Sequence, residues 1–499
     1  MKKVTEAFMQ QQEALYARRK QEILNTEDQI EITGTTYYVS AEGDDANDGK
    51  SPLTPWKTLK QVSESRLQPG DGVRFRRGDL FRGNIFAGEK PGVTYAAYGT
   101  GPKPEFRGWD ENLADPALWE EVDATHHIWK YVKPVLDPGT LVFNEGETVS
   151  RKLIPSYRDK RFVCRDDESR PFIMAAEMTQ DLDLFWHYEA QFTTTPSKGE
   201  DFPIPIAGLD CYGELYLRCD RGNPGAVFSS VEIISRRVAI RVATAANVRV
   251  DNLCMKYFCF GVSCGNIEGL RVTNCEIGWI GGNIQTYLGT DPNYPEGRRG
   301  SVTRFGNGIE IYGNSKDCVV DNCYIYQVYD AGATHQVNAP EKRVMTNLCY
   351  SNNLIEACVY GIEYFLDEMG MDVGSYMDGI EIRDNLIVRS GYGWGQQRHN
   401  YWTPAAIKGW SYINTARNFT IHNNTFDRCS SRLLHLVALE EESCPEMYEN
   451  VYIQHMNGSL GQYGGNKVME PGNLVYDENA EQTVAAVFRD RDAQVWTIG

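Results

Sequence analysis

Apolar and polar positions alternate in a series of short runs between residues 248 and 440, and most of these runs end in asparagine. Such alternation predicts short β-strands with one buried face. The spacing of the runs fits coils of roughly 20–30 residues with extra loops inserted at one corner. The asparagines that mark the repeat are Asn252, Asn274, Asn322, Asn353, Asn385 and Asn424.

A recurring asparagine suits the turn of a stacked β-coil. Asparagine tolerates left-handed backbone geometry, and its amide can hydrogen-bond the same residue one coil away. We therefore expect these asparagines to form one column, and the chain to fold as an all-β, right-handed parallel β-helix. A β-sandwich, the alternative all-β architecture, would show no such register.

The strands that follow the corner loops predict a column of outward-facing polar residues. Alternation places the apolar residue of each strand in the core and the next residue outside. One strand can be read in two registers, so either Thr334 or His335 faces outward. The expected column is Ser263, Glu310, Thr334 or His335, Glu363, Lys408 and His435.

Three carboxylates fall on or beside this column. Coils stack about 4.8 Å apart, which places Glu310 and Glu363 roughly 9–10 Å apart at the backbone. Asp330 lies where the intervening coil turns toward the same surface. Cleavage of a glycosidic bond needs a carboxylic acid and a carboxylate, and close carboxylates separate their pKa values. We predict Asp330 and Glu363 as the working pair and Glu310 as a third member, the alternative being ordinary solvent-facing strand residues.

Two corner loops, residues 286–306 and 391–402, are rich in aromatic residues and border this column. Sugars bind to the ring faces of Trp or Tyr and to amides and charged groups. Glycines beside the aromatic residues indicate a loop that approaches its neighbours closely. For each aromatic residue alone, packing is the alternative. The predicted substrate-binding residues are His335, Gln336, Trp394, Gln396, Gln397, Arg398, Trp402, Lys408 and Trp410.

The rest of the chain lacks the asparagine repeat. Residues 1–33 are polar and predict a helix that packs on the solenoid or caps it. Strand-like runs, and the absence of a regular repeat in one region, predict how the rest of the chain is divided. The segments are a cap with first coils at 34–109, an inserted small β-sandwich-like domain at 110–245, the main coils with the active groove at 246–440, and the last coils at 441–499.

The composition, 41% apolar and 24% charged residues, is that of an ordered soluble protein. The formal net charge of −18 argues against nucleic acid and anionic membranes as partners, because both bind basic surfaces. No apolar run reaches the ~18–20 residues of a membrane span, and no secretory signal is visible. The 13 cysteines include no CxxC pair, so we expect reduced thiols in a cytoplasmic protein.

We expect no cofactor. Asp44, Asp45 and Asp48 form an oxygen-rich cluster of the kind that binds calcium. Asx-turn hydrogen bonding explains the same three residues without a metal.

Two segments resemble parts of known proteins. Residues 36–59 contain TYYVS, GDDANDG and SPLTPWKTL, and PGDGV follows them. This order resembles the N-terminal cap of pectate-lyase-like β-helix proteins. Residues 214–232, which begin ELYLRCDRGNPG, resemble the end of the small β-domain inserted in β-xylosidase-type members. Together with the asparagine-marked coils, the chain resembles right-handed parallel β-helix glycoside hydrolases of the pectate-lyase-like superfamily.

The resemblance implies an acidic pair or trio on the strand stack that faces the groove, which maps onto Glu310, Asp330 and Glu363. It implies a glycoside hydrolase, and without an export signal we expect exo-action on oligosaccharides. Two alternatives stay open because this fold hosts several activities. One is a lyase of polysaccharides or oligouronides, with Lys408 or Arg398 as base and calcium on acidic residues. The other is a non-catalytic carbohydrate-binding β-helix.

Overall fold

The computed structural model describes residues 5–153, 174–187, 212–287, 302–369, 371–398, 404–410, 415–437, 445–453 and 474–476. Strands of successive coils pair in parallel along the solenoid. Apolar residues alternate with polar ones, so each coil turns its apolar side chains inward and the stack encloses one continuous core. The fold is the all-β, right-handed parallel β-helix that the repeat predicted.

Each coil contributes three strands, which stack into three sheets; Cys254–Glu268 and Ile309–Asp321 turn corners and belong to more than one. Sheet I contains Ile85–Gly88, Ser235–Val242, Cys254–Glu268, Ile309–Asp321, Ala331–Asn338, Tyr360–Asp367, Ala405–Trp410 and Arg432–Val437. Sheet II contains Thr36–Val39, Gly72–Arg76, Thr94–Tyr98, Arg249–Asp251, Arg271–Thr273, Val344–Ser351, Tyr376–Arg383, Thr415–Arg417, Thr420–His422 and Glu446–Tyr448. Sheet III contains Leu80–Arg82, Glu105–Arg107, Glu276–Ile280, Tyr324–Val328, Leu354–Glu356, Leu386–Ser390, Thr425–Cys429, Val451–Ile453 and Leu474–Tyr476.

The asparagines of the repeat stand in two adjacent columns between sheets II and III, so the prediction of a single column is wrong. The first column holds the left-handed residue of the turn. Asn252, Asn274 and Asn322 occupy it with φ of 60°, 55° and 54°. In the following coils the same position is taken by Asn352, Asp384 and Asn423, each with φ of 56°.

The second column lies one residue later and faces the interior. The Nδ2 groups of Asn353, Asn385 and Asn424 each donate to the Oδ1 of the next asparagine at 2.9–3.1 Å. These side chains satisfy one another in the core, where an unpaired amide would be costly. The sequence analysis mixed the columns because doublets such as Asn352–Asn353 fit either. The ladder consists of Asn353, Asn385, Asn424 and Asn450.

The inserted domain leaves the solenoid at the corner between sheets III and I. It follows Glu105–Arg107 and ends where Ser235–Val242 pairs with two sheet I strands, so the solenoid resumes before residue 245. A hairpin of Asn283–Tyr287 and Val302–Phe305 leaves the same corner. Two small sheets enclose the domain's own apolar core. Their strands are Trp119–Asp123, Ile128–Tyr131, Val135–Leu136, Leu141–Phe143, Thr148–Val149, Arg151–Leu153, Asp183–His187, Tyr212–Arg218 and Val231–Ile233.

The N-terminal helix, Glu6–Leu24, lies lengthwise on the side of the solenoid and runs from the last coils toward the first. Met9 packs on Ile453, and Tyr16 Oη donates to Asp427 at 2.7 Å. At about 1.5 Å per residue the helix is long enough to cross several coils. The short helices are Leu59–Glu64, Pro116–Leu118, Asn144–Gly146, Met174–Glu177, Pro224–Val227 and Trp394–Gln397.

The aspartates near the N-terminal end accept hydrogen bonds from the backbone. Asp45 accepts from the amides of Lys57 and Thr58 at 2.8 and 2.9 Å. Asp44 and Asp48 each accept from the amide two residues on, at 2.9 and 3.1 Å, which is Asx-turn geometry. Across the described ranges no group of three or more His, Cys, Asp or Glu could hold a metal. No helix in those ranges is long and apolar enough to cross a membrane.

Candidate active site

The outward column of sheet I has the predicted register. Parallel pairing aligns Ser263 with Glu310, and Thr334 with both Glu310 and Glu363. Thr334 is therefore the outward residue of its strand. From the first coil to the last, the column reads Arg241, Ser263, Glu310, Thr334, Glu363, Lys408 and His435.

His335 points into the core, which corrects its reading as an outward residue that contacts substrate. Its ring stacks on Tyr350 and Tyr364, with centroids 5.5 and 5.7 Å away, and Nδ1 lies 3.1 Å from the Tyr350 hydroxyl. Burial lowers the pKa of His335 to about 3, so the ring is neutral. A shift of one residue exchanges the two faces of a strand, and here it separates His335 from the groove.

Neutral hydrogen-bond donors surround Glu310. Ser263 Oγ donates to Oε1 at 3.3 Å. Asn307 Nδ2 and Gln336 Nε2 donate to Oε2 at 2.9 and 3.3 Å. In the described part of the chain, no lysine or arginine forms an ion pair with this carboxyl. Glu310 is thus solvated by the protein but has no countercharge in contact.

The pKa of Glu310 is raised to about 7. Burial is the largest cause, and the charge of Asp330 adds to it, whereas the hydrogen bonds from Asn307 and Ser263 oppose the rise. A carboxyl with a pKa near 7 is partly protonated at neutral pH. Glu310 can therefore donate a proton to a bound group.

Asp330 and Glu363 each contact a buried cation. Asp330 pairs with Arg398, and Glu363 Oε1 lies 3.0 Å from Lys408 Nζ. Both cations also approach the ring of Tyr360, with Lys408 Nζ at 3.7 Å and the Arg398 guanidinium carbon at 5.3 Å from its centroid. The two ion pairs therefore share one aromatic surface, which favours cations.

The charges of the three carboxylates act on one another. Burial raises the pKa of Asp330; Arg398 opposes the rise and the charge of Glu363 increases it. Burial is the largest single cause and would lower the pKa of Lys408, but Glu363, Tyr360 and Asp330 together outweigh it and the pKa is raised. Lys408 is therefore a protonated ammonium at neutral pH. The site thus places Glu310, a carboxyl with a raised pKa, beside two carboxyls that each pair with a cation.

Trp394 anchors the loop that delivers Arg398. The tryptophan is buried, and its Nε1 and backbone amide donate to Gln327 O and Oε1 at 2.8 and 2.9 Å. Its ring packs on Tyr329 with centroids 5.1 Å apart. A Cβ on Gly393 would lie 2.0 Å from a carbonyl of the preceding coil. The glycines of this loop therefore serve close approach, and Trp394 packs in the protein instead of presenting a sugar-stacking face.

Gln397 joins the same loop to the inserted domain. Its Nε2 donates to Ser150 O at 2.8 Å, and Lys152 N donates to its Oε1 at 3.2 Å. Arg304 adds a second link by donating to the Gly139 carbonyl at 2.8 Å. The loop and the inserted domain thus form one wall beside the carboxylates.

The other predicted substrate-binding residues have different positions. Gln336 lies two residues after Thr334, faces outward from the same strand, and donates to Glu310. Gln396 is half-buried in the anchored loop. Trp410 pairs with Phe365 of the neighbouring sheet I strand. The side chain of Trp410 is outside the described part. Trp402 also lies outside the described residues.

The sequence analysis missed Asn307 and Tyr360 as site residues. Asn307 lies just before a sheet I strand and Tyr360 is the first residue of one, at a corner where backbones of neighbouring coils approach. A Cβ on Gly308 would lie 2.4 Å from the Gly332 carbonyl. The Gly-Asn-Gly sequence at 306–308 was the available signal for Asn307. Tyr360 had no signal of its own, because the cations beside it come from a later coil.

The comparisons with known proteins give one short sequence match. No family model matches this chain. A stretch of 76 residues is 45% identical to lacto-N-biosidase of Bifidobacterium longum subsp. longum. The match covers 13% of this chain and 5% of the bifidobacterial protein. The chain thus matches only a small fraction of that relative's length.

Solved structures with a similar course of the chain have low sequence identity. The family GH136 lacto-N-biosidase of Eubacterium ramulus is 13% identical, with a TM-score of 0.30, and the alignment covers 94% of this chain and 69% of that one. The family 28 exopolygalacturonase of Yersinia enterocolitica is 12% identical, with a TM-score of 0.35 and coverages of 90% and 69%. The alginate lyase of a Paenibacillus strain is 9% identical, with a TM-score of 0.32 and coverages of 89% and 98%. At these scores the strand pairing, not the likeness, establishes the fold.

Proposed function

We propose that this protein is a glycoside hydrolase that cleaves oligosaccharides on the outer face of sheet I, with Glu310 as the general acid. One observation carries the proposal. The pKa of Glu310 is raised to about 7, and no lysine or arginine in the described ranges pairs with it, whereas the neighbouring Asp330 and Glu363 each contact a cation. A glycosidase needs one carboxyl that can donate a proton and a second that acts as a carboxylate.

In the proposed reaction, Glu310 transfers its proton to the glycosidic oxygen as the bond to the anomeric carbon breaks. Asp330, which pairs with Arg398, or Glu363, which pairs with Lys408, then acts in one of two ways. It attacks that carbon and is later displaced from it by water, or it takes a proton from the attacking water. Water supplies the hydroxyl to the released sugar, and its other proton restores Glu310 directly or through the second carboxylate. Glu310 takes the acid role here, and the predicted pair of Asp330 and Glu363 supplies the carboxylate.

Two observations support oligosaccharides and exo-action as the finer parts of the proposal. The segment similar to lacto-N-biosidase belongs to a protein whose name denotes action on an oligosaccharide unit. The wall made by Gln397 and the inserted domain restricts one side of the groove, which favours a chain end over a long polymer. The cytoplasmic location stays a prediction; the ten described cysteines are free thiols.

The lyase alternative needs a base, and the two predicted bases fit that role poorly. The raised pKa of Lys408 keeps its ammonium protonated, and Arg398 pairs with Asp330. A guanidinium does not lose its proton in proteins. A purely binding β-helix would gain nothing from a buried carboxyl with a raised pKa, because such groups cluster at catalytic sites.

A substrate screen tests the proposal. Wild-type protein and the variants Glu310→Gln, Asp330→Asn and Glu363→Gln are incubated with nitrophenyl glycosides and short oligosaccharides, and released sugars are measured. We expect hydrolysis by wild type and severe loss in each variant. Glu268→Gln changes an exposed carboxylate of the same solenoid and serves as the control. Full activity in all three site variants, or products that absorb in the ultraviolet as unsaturated sugars do, would overturn the proposal.

A further inference from the structure

Asn307 bridges the Glu310 carboxyl and the strand that follows Asp330. Its Nδ2 donates to Glu310 Oε2 at 2.9 Å, and its Oδ1 accepts from the Ala331 amide at 3.0 Å. A backbone N–H can only donate, so the amide oxygen must face Ala331 and the NH₂ must face Glu310. The orientation of this buried side chain is thereby fixed by its neighbours.

The two oxygens of Glu310 have different partners. Oε2 accepts from two amide groups, those of Asn307 and Gln336. Among the residues that the structure describes, the partner of Oε1 is the Ser263 hydroxyl, at 3.3 Å. A hydroxyl can accept as well as donate, whereas an amide NH₂ can only donate. A proton on Oε2 would point at two amide groups that donate and could not accept it. A proton on Oε1 can instead be donated to the Ser263 hydroxyl, which can accept.

We propose that Asn307 is a positioning residue that, together with Gln336, places the acidic proton of Glu310 on Oε1 and so selects the oxygen that protonates the substrate. The inference rests on the general-acid role of Glu310 in the proposed function. During the transfer the Oε1–H bond breaks and the proton passes to the glycosidic oxygen. The electron pair stays on the carboxylate, where the two amides already donate to Oε2.

The substitution Asn307→Asp tests this arrangement with little change in shape. One aspartate oxygen still accepts from the Ala331 amide, but the donor to Glu310 becomes an acceptor that carries charge. We expect the pKa of Glu310 to rise by about one unit or more, because the ionised form loses a hydrogen bond and gains a like charge. The alkaline limb of kcat/KM should move upward with it, and kcat should fall about 10–100-fold.

Two measurements separate this role from a structural one. The pH–rate profile reports the acid during catalysis, and pH-difference infrared spectroscopy, with Glu310→Gln as the reference, reports the same carboxyl without substrate. Asn347→Asp is the control: Asn347 is exposed, lies in the sheet II strand Val344–Ser351 and donates to Asp317 at 2.9 Å. It should leave both readouts unchanged.

Gln336→Met provides a second test should Asn307→Asp fold poorly. It removes the weaker donor to Oε2, at 3.3 Å, so we expect the same upward shift in the pKa of Glu310 but a smaller one. Wild-type titration of Glu310 in both variants would overturn the inference. A wild-type protein that hydrolyses no glycoside would overturn the proposed function instead, while the infrared titration would still decide whether Asn307 controls this carboxyl.

Discussion

Two clusters of mostly buried charged side chains lie on different faces of the solenoid and contain the same numbers of carboxylates and cations. The groove cluster lies on sheet I, and the strap cluster lies under the N-terminal helix on sheet III. Each has three carboxylates and two cations. The groove cluster consists of Glu310, Asp330, Glu363, Arg398 and Lys408. The strap cluster consists of Glu13, Glu356, Asp427, Arg389 and Arg428.

In the strap cluster each arginine bridges two carboxylates. Arg428 Nη2 contacts Glu13 at 2.5 Å and Asp427 at 2.6 Å, and Arg389 contacts Glu13 at 2.9 Å as well as Glu356. Burial alone would raise the pKa values of Glu13 and Glu356, but the arginines outweigh burial and lower both. Glu13 and Glu356 therefore stay charged at neutral pH, and the ion pairs hold the helix to the coils.

In the groove cluster Arg398 contacts Asp330 and Lys408 contacts Glu363, and no lysine or arginine among the described residues pairs with Glu310. The pKa values of Glu310 and Asp330 are raised, with burial as the main cause. The two clusters are similar in burial and in number of charges. The arrangement of their ion pairs therefore decides whether the carboxyl pKa values are raised or lowered. A network in which cations bridge supports structure, whereas one that leaves a carboxyl without a cation can supply a proton.

Glu310→Gln should produce the largest difference between the clusters. We expect kcat/KM to fall about 10³-fold, because the variant cannot donate the proton. The thermal midpoint should not fall, because the change removes a carboxyl that burial disfavours. Kinetics beside thermal unfolding check this. A variant that is destabilised but fully active when folded would place Glu310 with the strap carboxylates.

Arg428→Met should have the opposite pattern. Arg428 is buried and pairs with Asp427, which is also buried. Its removal leaves carboxylates without their cation, and we expect a loss of about 3 kcal/mol in unfolding free energy. Activity per folded molecule should stay at the wild-type level. Arg18→Met, on the exposed side of the same helix, is the control, and equal losses in both variants would contradict the role of the strap cluster.

The fold and the outward column could be predicted because they depend on local periodicity. Strand alternation and a recurring turn residue place Glu310, Glu363 and Lys408 on one face without knowledge of any contact. The same reasoning failed where a shift of one residue changes the face or the column to which a side chain belongs. His335 points into the core and not into the groove, and doublets such as Asn352–Asn353 made two columns of asparagines look like one.

The contacts that give each cluster its chemistry could not be predicted. Glu13 and Arg428 are 415 positions apart. The sequence of the polar helix has no pattern that predicts which part of the chain it packs on. Arg398 reaches Asp330 only because Trp394 anchors a corner loop on another coil. Such pairs depend on where long loops return, which periodicity does not describe.

The pH dependence of stability should distinguish the clusters further. The pKa of Glu310 rises from an ordinary 4.5 to about 7 on folding, so the folded protein binds more protons between these values. Stability therefore falls as pH rises through this window. We expect a decline of about 2 kcal/mol, less than the full shift because the carboxyl is partly exposed. Urea unfolding between about pH 5 and 8 should show this slope in wild type, and an unchanged slope in Glu310→Gln would contradict it.

Glu13→Gln should have the smallest effect and the reverse pH dependence. The lowered pKa of Glu13 gives stability that is present above its ordinary 4.5 and is lost as pH falls through the lower folded value. Because its side chain is 32% exposed, we expect a cost of only about 1 kcal/mol at neutral pH. The difference from wild type should vanish near pH 3 in urea unfolding. A difference that stays constant with pH would mean that the packing of Met9 and Tyr16, and not the charge of Glu13, holds the helix on the solenoid.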